Sequence, residues 1–382
     1  MAEDYDYELV IIGAGVIGLA CAAIGSRAIK SSLVIERHES FGFETSSRNS
    51  EVVHAGIYYP ENSLKAKLCV RGKESIYEWC KDHKVPFRKT GKYIISNNAE
   101  EEGSLKKIFS QGKKNGARDL RLVSKDELNK SEPNVKGTMA IYSPTSGIVD
   151  SHELMKSLKR VAAKNGCDFA WRHDIVGIER LSKGYKLFVD DPSNNRLSIT
   201  AKRVINAAGL DSDTLAKLLG IDIDKYGYLL QYIRGSYFRI GAGKENLVNH
   251  LIYPVPPADS NNLGIHLTLD LNGGLKIGPD REILDKREQD YRVDDSLKEK
   301  FLEAVSRYIT GLSLEEIHPD MSGIRSSLKR DRSGFNDFII AEESGKGFDN
   351  WINLIGIDSP GLTCCLEIAN VCMEYLGIGK SK

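Results

Sequence analysis

Three glycines near the start of the chain have the spacing that lets a protein backbone approach a pyrophosphate. Gly13, Gly15 and Gly18 form a GxGxxG motif. The first allows a tight turn, the second allows close approach to phosphate, and the third allows a helix to pack on a strand. Glu36 follows, and we include its neighbour Arg37 in the same site. Because a carboxylate at this spacing can accept hydrogen bonds from ribose hydroxyls, these residues predict a dinucleotide site.

The motif needs a strand before it and a helix and strand after it, and the sequence supplies all three. Tyr7–Ile12 is rich in β-formers, Leu19–Ile29 predicts a helix, and Ser32–Ile35 predicts a second strand that ends at Glu36. A helix placed in this way offers amide groups to phosphates at its N-terminus. Both NAD and FAD proteins use such a βαβ unit, so it does not distinguish between the two cofactors. A glycine-rich turn without a ligand is the alternative.

Two later segments favour FAD over NAD. The first supplies hydroxyl and guanidinium groups for a second phosphate and the polar edge of a ring system, on Thr45, Ser46, Ser47 and Arg48. The second is a predicted strand that ends in the small residues Ala207, Ala208 and Gly209. It would bring the chain back to the cofactor near residue 205, which an NAD domain finished by about residue 150 would not need.

A third segment, Ile352–Thr363, leads into a helix with apolar residues at helical spacing. Ser359 is a suitable N-cap and Pro360 suits the first helical position. The amides of Gly361, Leu362 and Thr363 would then form a free helix N-terminus, which stabilises negative charge. Reduced flavin develops such charge at its N1 and C2 carbonyl edge. A capped amphipathic helix with no ligand is the alternative here.

Composition excludes several classes of protein. The 382 residues contain 53 Lys plus Arg and 53 Asp plus Glu, so no net charge attracts nucleic acid. The seven cysteines are scattered without CxxC spacing, so we expect buried free thiols and neither a disulfide framework nor a metal site. The apolar run Leu9–Gly25 follows acidic residues and is shorter than the roughly 20 residues of a membrane span. We therefore expect a cytoplasmic protein, with peripheral membrane contact left open.

Seven segments together resemble the D-amino-acid oxidase superfamily of FAD-dependent oxidoreductases, over essentially the whole chain. Within it they are most similar to the L-2-hydroxyglutarate dehydrogenase or oxidase group. The segments are Ser46–Ser50, Val52–Tyr59, Ser63–Cys69, Gly264–Thr268, Ile277–Pro279, Gly323–Arg325 and Ser359–Thr363. Two positions depart from the group: a proline is expected before the Arg234–Gly235 pair, and a small residue where Glu51 lies.

The resemblance implies an α/β fold with two parts. A Rossmann-type FAD-binding domain would comprise residues 1–85, 145–220 and 320–382. A substrate domain, an antiparallel sheet with helices, would comprise residues 86–144 and 221–319. The sequence is compatible with this layout, because Gly227–Ile240, Leu251–Val255, Gly264–Leu271 and Gly274–Gly278 predict strands. Leu105–Asn115 predicts a helix, Pro192–Asn195 a hairpin-like tip and Pro254–Asn262 a turn-rich surface loop.

Oxidation of a 2-hydroxy acid needs a base for the hydroxyl proton while a hydride passes from carbon to flavin N5. His54 is our first candidate base and His266 the second, since histidine titrates near neutral pH. Either could instead be a structural strand histidine. Arg325 is the candidate for the substrate carboxylate, because its planar group binds carboxylates through two nitrogens. Of Tyr58 and Tyr59, alternation along a strand would place only one in the pocket.

The resemblance thus implies FAD-dependent oxidation of a small 2-hydroxy acid, most like L-2-hydroxyglutarate, with oxygen or a quinone as electron acceptor. Oxidation of an amine, an amino acid such as glycine or sarcosine, or glycerol 3-phosphate is the alternative on the same fold. A flavin-binding subunit of an electron-transfer complex is the non-enzymatic alternative. Lys65 and Lys67 could attract an anionic substrate, although a solvated surface explains both lysines equally well.

Overall fold

The computed structural model describes residues 5–241, 243–256, 264–329 and 334–378. The predicted surface loop Pro254–Asn262 lies outside the described residues from position 257 onward. The strands in chain order are β1 Tyr7–Ile12, β2 Ser32–Glu36, β3 Val52–Val53, β4 Phe87–Arg88, β5 Lys92–Ser96, β6 Arg121–Ser124, β7 Met139–Ser143, β8 Gly147–Val149, β9 Cys167–Trp171, β10 Asp174–Arg180, β11 Tyr185–Asp190, β12 Arg196–Asn206, β13 Leu230–Ile240, β14 Leu251–Pro254, β15 His266–Leu269, β16 Leu275–Gly278, β17 Glu282–Ile283, β18 Ile317–Leu328, β19 Ile339–Glu343 and β20 Phe348–Ile355. The helices are α1 Val16–Gly25, α2 Leu64–His83, α3 Ala99–Lys114, α4 Lys125–Ser131, α5 Ser151–Lys164, α6 Ser212–Leu218, α7 Lys298–Ser306 and α8 Gly361–Tyr375.

The first sheet has the Rossmann-type arrangement that the glycine motif predicts. β20, β12, β1, β2 and β9 lie side by side and parallel. The antiparallel strands β10, β11 and β19 extend it. β1 and β2 are buried almost throughout, as strands covered on both faces are. Because the carboxyl ends of β1, β2 and β12 meet at one edge, Gly13, Glu36 and Ala207 lie at a common edge.

The second sheet has nine strands and is almost entirely antiparallel. β13 forms its longest pairing with β18, and β16, β15 and β14 follow on the other side. β14 pairs with β5 in parallel, and β7 and β6 follow. The short strand β17 pairs with β13 and completes the sheet. The predicted strands in this part of the chain are therefore confirmed. A small third sheet joins β3, β8 and β4.

Each sheet has its own apolar core. In the first, α1, α2, α5 and α8 cover the sheet with buried residues such as Leu19, Leu68, Leu158 and Ile368. In the second, Phe238 packs on Phe301 of α7 with ring centroids 4.6 Å apart. All seven cysteines are free and buried, as expected from their spacing. The division of the chain into residues 1–85, 145–220 and 320–382 against 86–144 and 221–319 stays a prediction.

Some element boundaries differ from those expected. The helix predicted over Leu19–Ile29 is α1, which begins earlier at Val16 and ends at Gly25. It begins early because Gly15 is its N-cap, with extended backbone. The predicted helix over Leu105–Asn115 lies within α3, whose N-cap Asn98 bonds the amide of Glu101 at 2.9 Å. Among helices of the described residues, none is both long and apolar enough to cross a bilayer.

Candidate functional site

A cavity of about 1260 Å³ extends from the glycine motif to the second sheet. Its wall includes Gly13 and Glu36 at one end, and His54, His266 and Arg325 elsewhere. Small-molecule sites commonly measure about 300–1,000 Å³. The cavity is therefore large enough for an elongated ligand together with a small molecule.

The glycine motif leaves the backbone bare at the cavity. Gly13 has φ +101° and a Cβ there would lie 2.5 Å from the carbonyl oxygen of Ala207. At Gly18, a Cβ would lie 1.9 Å from the carbonyl oxygen of Gly13. Gly18 is not on the cavity wall, so its absent side chain serves the packing of α1 on β1. Gly13 and Gly15 do line the cavity.

Glu36 is held in place by backbone amides. The Ala14 amide donates to its Oε2 at 2.7 Å, and the His38 amide donates to its Oε1 at 2.9 Å. Both oxygens retain lone pairs for further donors such as ribose hydroxyls. Its neighbour Arg37 also lines the cavity, but its guanidinium pairs with Glu44 and Asp211. Glu36 is thus positioned before any ligand binds.

The polar segment after β2 faces the start of α1. The Val16 amide donates to Ser46 Oγ at 3.0 Å, so the Ser46 hydroxyl can still donate its own hydrogen. Thr45 Oγ1 donates to the carbonyl of Ile324 in β18 at 2.8 Å. Ser47 is exposed and absent from the cavity wall, so the structure does not bring it to the site. We call Gly13, Gly15, Glu36 and Ser46 the nucleotide end of the cavity.

Arg48, in the same segment, has a hydrogen-bond donor without an acceptor among the described residues. Its guanidinium carbon lies 3.9 Å from the ring centroid of Tyr291. Its Nε is buried, and no described residue accepts a hydrogen bond from it. A buried donor without a partner costs roughly 1–3 kcal/mol. Arg48 therefore suits an acceptor group on a ligand in the cavity.

The start of α8 also lines the cavity, although its capping differs from the prediction. Pro360 is the N-cap and Gly361 the first helical residue, whereas Ser359 was expected to cap. The Ser359 hydroxyl lies instead 3.4 Å from His54 Nε2. Ala207, Ala208 and Gly209 line the cavity opposite the glycine motif, as do Ser359, Pro360, Gly361 and Leu362. Thr363 does not line it, and its hydroxyl accepts a hydrogen bond from the His54 amide at 3.0 Å.

His54 follows β3 and is tied to α8 by these contacts. It was predicted within a strand, but β3 ends at Val53. It is 8% exposed, and burial, with smaller contributions from Lys92 and His266, lowers its pKa well below the usual value. The imidazole is therefore neutral near pH 7 and can accept a proton.

His266 is the first residue of β15 and stacks on Tyr253, with ring centroids 3.8 Å apart. Its Nδ1 lies 3.0 Å from the Gly264 carbonyl, so Nδ1 carries the hydrogen. Burial, Lys92 and Arg325 lower its pKa to about 3, although the Gly264 carbonyl acts in the opposite direction. The residue lines the cavity, and its Nε2 is buried without a partner among the described residues, so its lone pair is free to accept a hydrogen bond.

Both tyrosines after His54 line the cavity, so the expectation that only one would do so is wrong. Alternation fails because Tyr58 and Tyr59 lie beyond β3, in irregular backbone after the turn at Gly56, which has φ +77°. The Tyr58 hydroxyl is buried without a partner among the described residues. Tyr253 is in the same situation and was not predicted. We call His54, His266, Tyr58 and Tyr253 the histidine end of the cavity.

Arg325 lies in β18 on the cavity wall and is partly buried. Its Nη2 donates weakly to the Asp280 carbonyl, at 3.4 Å. β18 pairs with β13 so that Arg325 lies opposite Ile233, which directly precedes the Arg234–Gly235 pair where a proline was expected. No described Asp or Glu forms an ion pair with Arg325, so its charge is available to an anion.

Two other predicted residues behave differently from each other. Lys65 lines the cavity and is 6% exposed. Its ammonium donates a hydrogen bond to Asp358 at 2.7 Å. Lys67 is exposed and away from the cavity.

Glu51, where a small residue was expected, has φ +58°, and its carboxylate accepts hydrogen bonds from the Ser151 amide and hydroxyl. Those bonds offset the backbone strain, which among the residue types only glycine would avoid.

The model of the FAD dependent oxidoreductase family matches residues 8–374 of the chain. The chain belongs to this family. Among curated relatives, the mitochondrial L-2-hydroxyglutarate dehydrogenase of Arabidopsis thaliana is 36% identical over 95% of this chain and 82% of its own length. The human protein of the same name is 28% identical over 98% of this chain and 89% of its own length.

Solved structures agree with the fold of this FAD-dependent oxidoreductase. L-alpha-glycerophosphate oxidase from Mycoplasma pneumoniae, solved with FAD bound, has a TM-score of 0.86 at 24% identity and covers 97% of this chain and 94% of its own. Glycine oxidase from Geobacillus kaustophilus has a TM-score of 0.77 at 18% identity and covers 99% and 96%. The protein binds FAD, and the bare glycine backbone, Glu36, Ser46 and the unmet Nε of Arg48 suit that cofactor.

Proposed function

We propose that this FAD-dependent oxidoreductase oxidises a small 2-hydroxy acid, most favourably L-2-hydroxyglutarate, to the corresponding 2-oxo acid. The observation that carries the proposal is the histidine end, where two neutral imidazoles share the cavity wall with Arg325. The names of the relatives support this substrate, and the cavity chemistry suits an anion that carries a hydroxyl group. Arg325 would bind the carboxylate next to the reacting carbon.

His54 is the proposed base for the hydroxyl proton. Its amide and its Nε2 contact Thr363 and Ser359, at the start of the helix that the family resemblance assigns to the flavin edge. Bound FAD supplies the acceptor for the hydride that leaves the substrate carbon. His266 is the second candidate, since it also lines the cavity and its Nε2 has no partner among the described residues. The hydroxyl proton passes to an imidazole nitrogen in either case.

The proposal is tested by reducing the holoenzyme with each substrate under anaerobic conditions. The reduction is monitored as the loss of oxidised-flavin absorbance. The substrates compared are L-2-hydroxyglutarate, its D enantiomer, glycine, sarcosine and glycerol 3-phosphate. We expect L-2-hydroxyglutarate to reduce the flavin fastest. Reduction by an amine or by glycerol 3-phosphate, with none by a hydroxy acid, would contradict the substrate assignment and leave fold and cofactor unchanged.

The electron acceptor is proposed to be oxygen or a quinone. After anaerobic reduction, mixing with oxygen and with a quinone analogue separates the two. Reoxidation by oxygen that is far slower than turnover with the quinone analogue would exclude an oxidase. The cytoplasmic location stays a prediction, and the two relatives described above are named as mitochondrial proteins.

A further inference from the structure

A buried lysine at the histidine end has no carboxylate partner. Lys92 is 1% exposed, and none of the ion pairs among the described residues includes it. Its Nζ lies 4.5 Å from the ring centroid of Tyr253 and 5.1 Å from that of Tyr58. A buried ammonium without a counter-ion is costly, and contacts with aromatic faces recover only part of the lost hydration. The position therefore lacks an anion.

The strand register explains why these residues meet. β5 pairs in parallel with β14, so that Ile94 lies opposite Tyr253. Lys92 precedes Ile94 by two residues and therefore projects to the same face of the sheet. β14 pairs in turn with β15, with Ile252 opposite Leu267, which brings Tyr253 opposite His266. Three neighbouring strands thus fix Lys92, Tyr253 and His266 relative to one another.

Tyr58, Tyr253 and His266 line the cavity, and their buried polar atoms without partners differ in kind. The hydroxyls of Tyr58 and Tyr253 are donors, and both are buried without a partner among the described residues. The Nε2 of His266 is an acceptor, because Nδ1 carries the hydrogen. Two donors close to one ammonium suit a carboxylate, whereas a lone pair suits a hydroxyl group. One molecule with a hydroxyl and a carboxylate beyond it would satisfy all of them.

The charges around Tyr58, Tyr253 and Lys92 indicate that the part of the ligand bound there carries one negative charge. Lys92 supplies one positive charge, and the two phenols stay neutral because burial raises the pKa of each. A phosphate would bring a second negative charge with no further cation to meet it. Arg325 and Lys92 both act on the pKa of His266, so the imidazole lies within electrostatic range of both cations. A dianion with separated charges matches this arrangement better than a monoanion.

We propose that Tyr58 and Tyr253, with Lys92 behind their rings, bind the distal carboxylate of a dicarboxylic 2-hydroxy acid. The inference rests on the proposed function, since Arg325 is taken to bind the carboxylate next to the reacting carbon. Lys92 does not line the cavity, so it acts through the two tyrosines as a positioning and electrostatic residue. In a site of low dielectric its charge attracts the bound carboxylate more strongly than a surface lysine would.

The test compares glutarate with valerate, which has the same chain length but only one carboxylate. Neither can be oxidised at a hydroxyl group, so their binding to the holoenzyme by calorimetry is independent of the proposed reaction. We expect the parent protein to bind glutarate more tightly than valerate. Tyr58→Phe, Tyr253→Phe and Lys92→Met should each weaken glutarate binding by roughly 10- to 100-fold, as expected for loss of a bond to a charged group, and leave valerate binding nearly unchanged.

Two matched controls lie nearby. Tyr93→Phe removes a hydroxyl from the same strand as Lys92, but that hydroxyl donates to Ser131 and does not face the cavity. Lys73→Met removes another buried lysine, which donates to Thr145. Both should bind glutarate like the parent protein. Flavin content and valerate binding report whether each variant is folded.

Several outcomes would overturn the subsite. Equal affinity of the parent for glutarate and valerate would do so, as would equal loss of both ligands in the tyrosine variants. Glutarate binding that depends on Tyr253 while no hydroxy acid reduces the flavin would keep the subsite and reject the proposed function. If L-2-hydroxyglutarate reduces the flavin equally well in the parent and in the Tyr58, Tyr253 and Lys92 variants, the proposed function is kept and the subsite is rejected.

Discussion

The two ends of the cavity differ in how far their polar groups are satisfied before a ligand binds. At the nucleotide end, both oxygens of Glu36 and the hydroxyl of Ser46 accept backbone hydrogen bonds. At the histidine end, Tyr58, Tyr253 and His266 each present a buried polar atom without a partner among the described residues. The first end is held in position by the fold. The second end depends on its ligand to recover the cost of burial.

This difference predicts different consequences of mutation. Substitutions at the nucleotide end should reduce FAD retention and stability together, because the same contacts serve both. Substitutions at the histidine end should change rates and affinities with little loss of stability, since each unmet group costs roughly 1–3 kcal/mol in the free protein. Four experiments compare the two ends, in order of decreasing expected effect.

Gly18→Ala should cause the largest loss. The new Cβ would lie 1.9 Å from the Gly13 carbonyl oxygen, which is backbone and cannot move without displacing the turn. We expect protein without FAD, or protein that does not fold, as judged from flavin absorbance per chain and thermal unfolding. Gly103→Ala in α3 meets no atom within 4 Å and is the control, with normal FAD content expected.

Gly15→Ala keeps this prediction testable if Gly18→Ala does not fold. The Cβ at Gly15 would lie 3.0 Å from Ser46 Oγ, a side-chain atom that can rotate away. We expect a folded protein with weakened FAD binding. Normal FAD retention in both glycine variants would contradict the role of the motif.

His54→Ala should lower the rate of flavin reduction by about 10²- to 10⁴-fold, the usual effect of losing a general base. Substrate affinity and flavin content should change far less, because the side chain serves proton transfer. Rapid mixing under anaerobic conditions measures the rate. A larger loss in His266→Ala than in His54→Ala would transfer the assignment to His266, which also lines the cavity.

The contrast between the two ends also explains what the sequence could predict. The nucleotide end is built from residues close in sequence, with turn, helix start and acid in one βαβ unit, and the fold of this unit was predicted correctly. The N-cap of α8 was predicted wrongly, because the Ser359 hydroxyl contacts His54, a residue 305 positions away, and does not cap the helix. No local rule contains that contact.

The histidine end is assembled by strand register, which the sequence does not specify. Lys92, Tyr253 and His266 meet only because β5, β14 and β15 are neighbours in a sheet of mixed direction. His266 was singled out through family resemblance, whereas Lys92 and Tyr253 were missed. The sequence did contain a signal for Lys92. It lies two residues before the buried Ile94 in an apolar strand, so both side chains lie on the same buried face of the sheet.

Arg325→Lys should weaken binding of 2-hydroxy acids by roughly 10- to 100-fold, the effect of losing a hydrogen bond to a charged group. Lysine keeps the charge but loses the planar pair of donors that fits a carboxylate. Glutarate and valerate should both bind more weakly, unlike in the Tyr253→Phe variant. Loss confined to glutarate would place Arg325 at the distal carboxylate instead.

The smallest expected effect is a pH dependence confined to the histidine end. Burial lowers the pKa of Lys92 to about 8, with a small opposing contribution from Cys69. Lys92 is therefore charged below pH 8 and loses its proton above it, so the dissociation constant of glutarate should rise by up to about tenfold per pH unit above that value. The groups facing Lys92 do not titrate here: the Tyr58 and Tyr253 phenols have raised pKa values, and the His54 and His266 imidazoles have lowered ones.

The assignment of this pH dependence is checked with variants and a second ligand. Lys92→Met should abolish the dependence, and Cys69→Ala should retain it, which separates the ammonium from the thiol beside it. Valerate affinity and FAD retention should stay level from pH 7 to roughly pH 9, because neither depends on a group that titrates near the pKa of Lys92. A parallel loss of FAD over this range would mean that the nucleotide end responds as well. The contrast between a preorganised cofactor site and a ligand-dependent substrate site would then not hold.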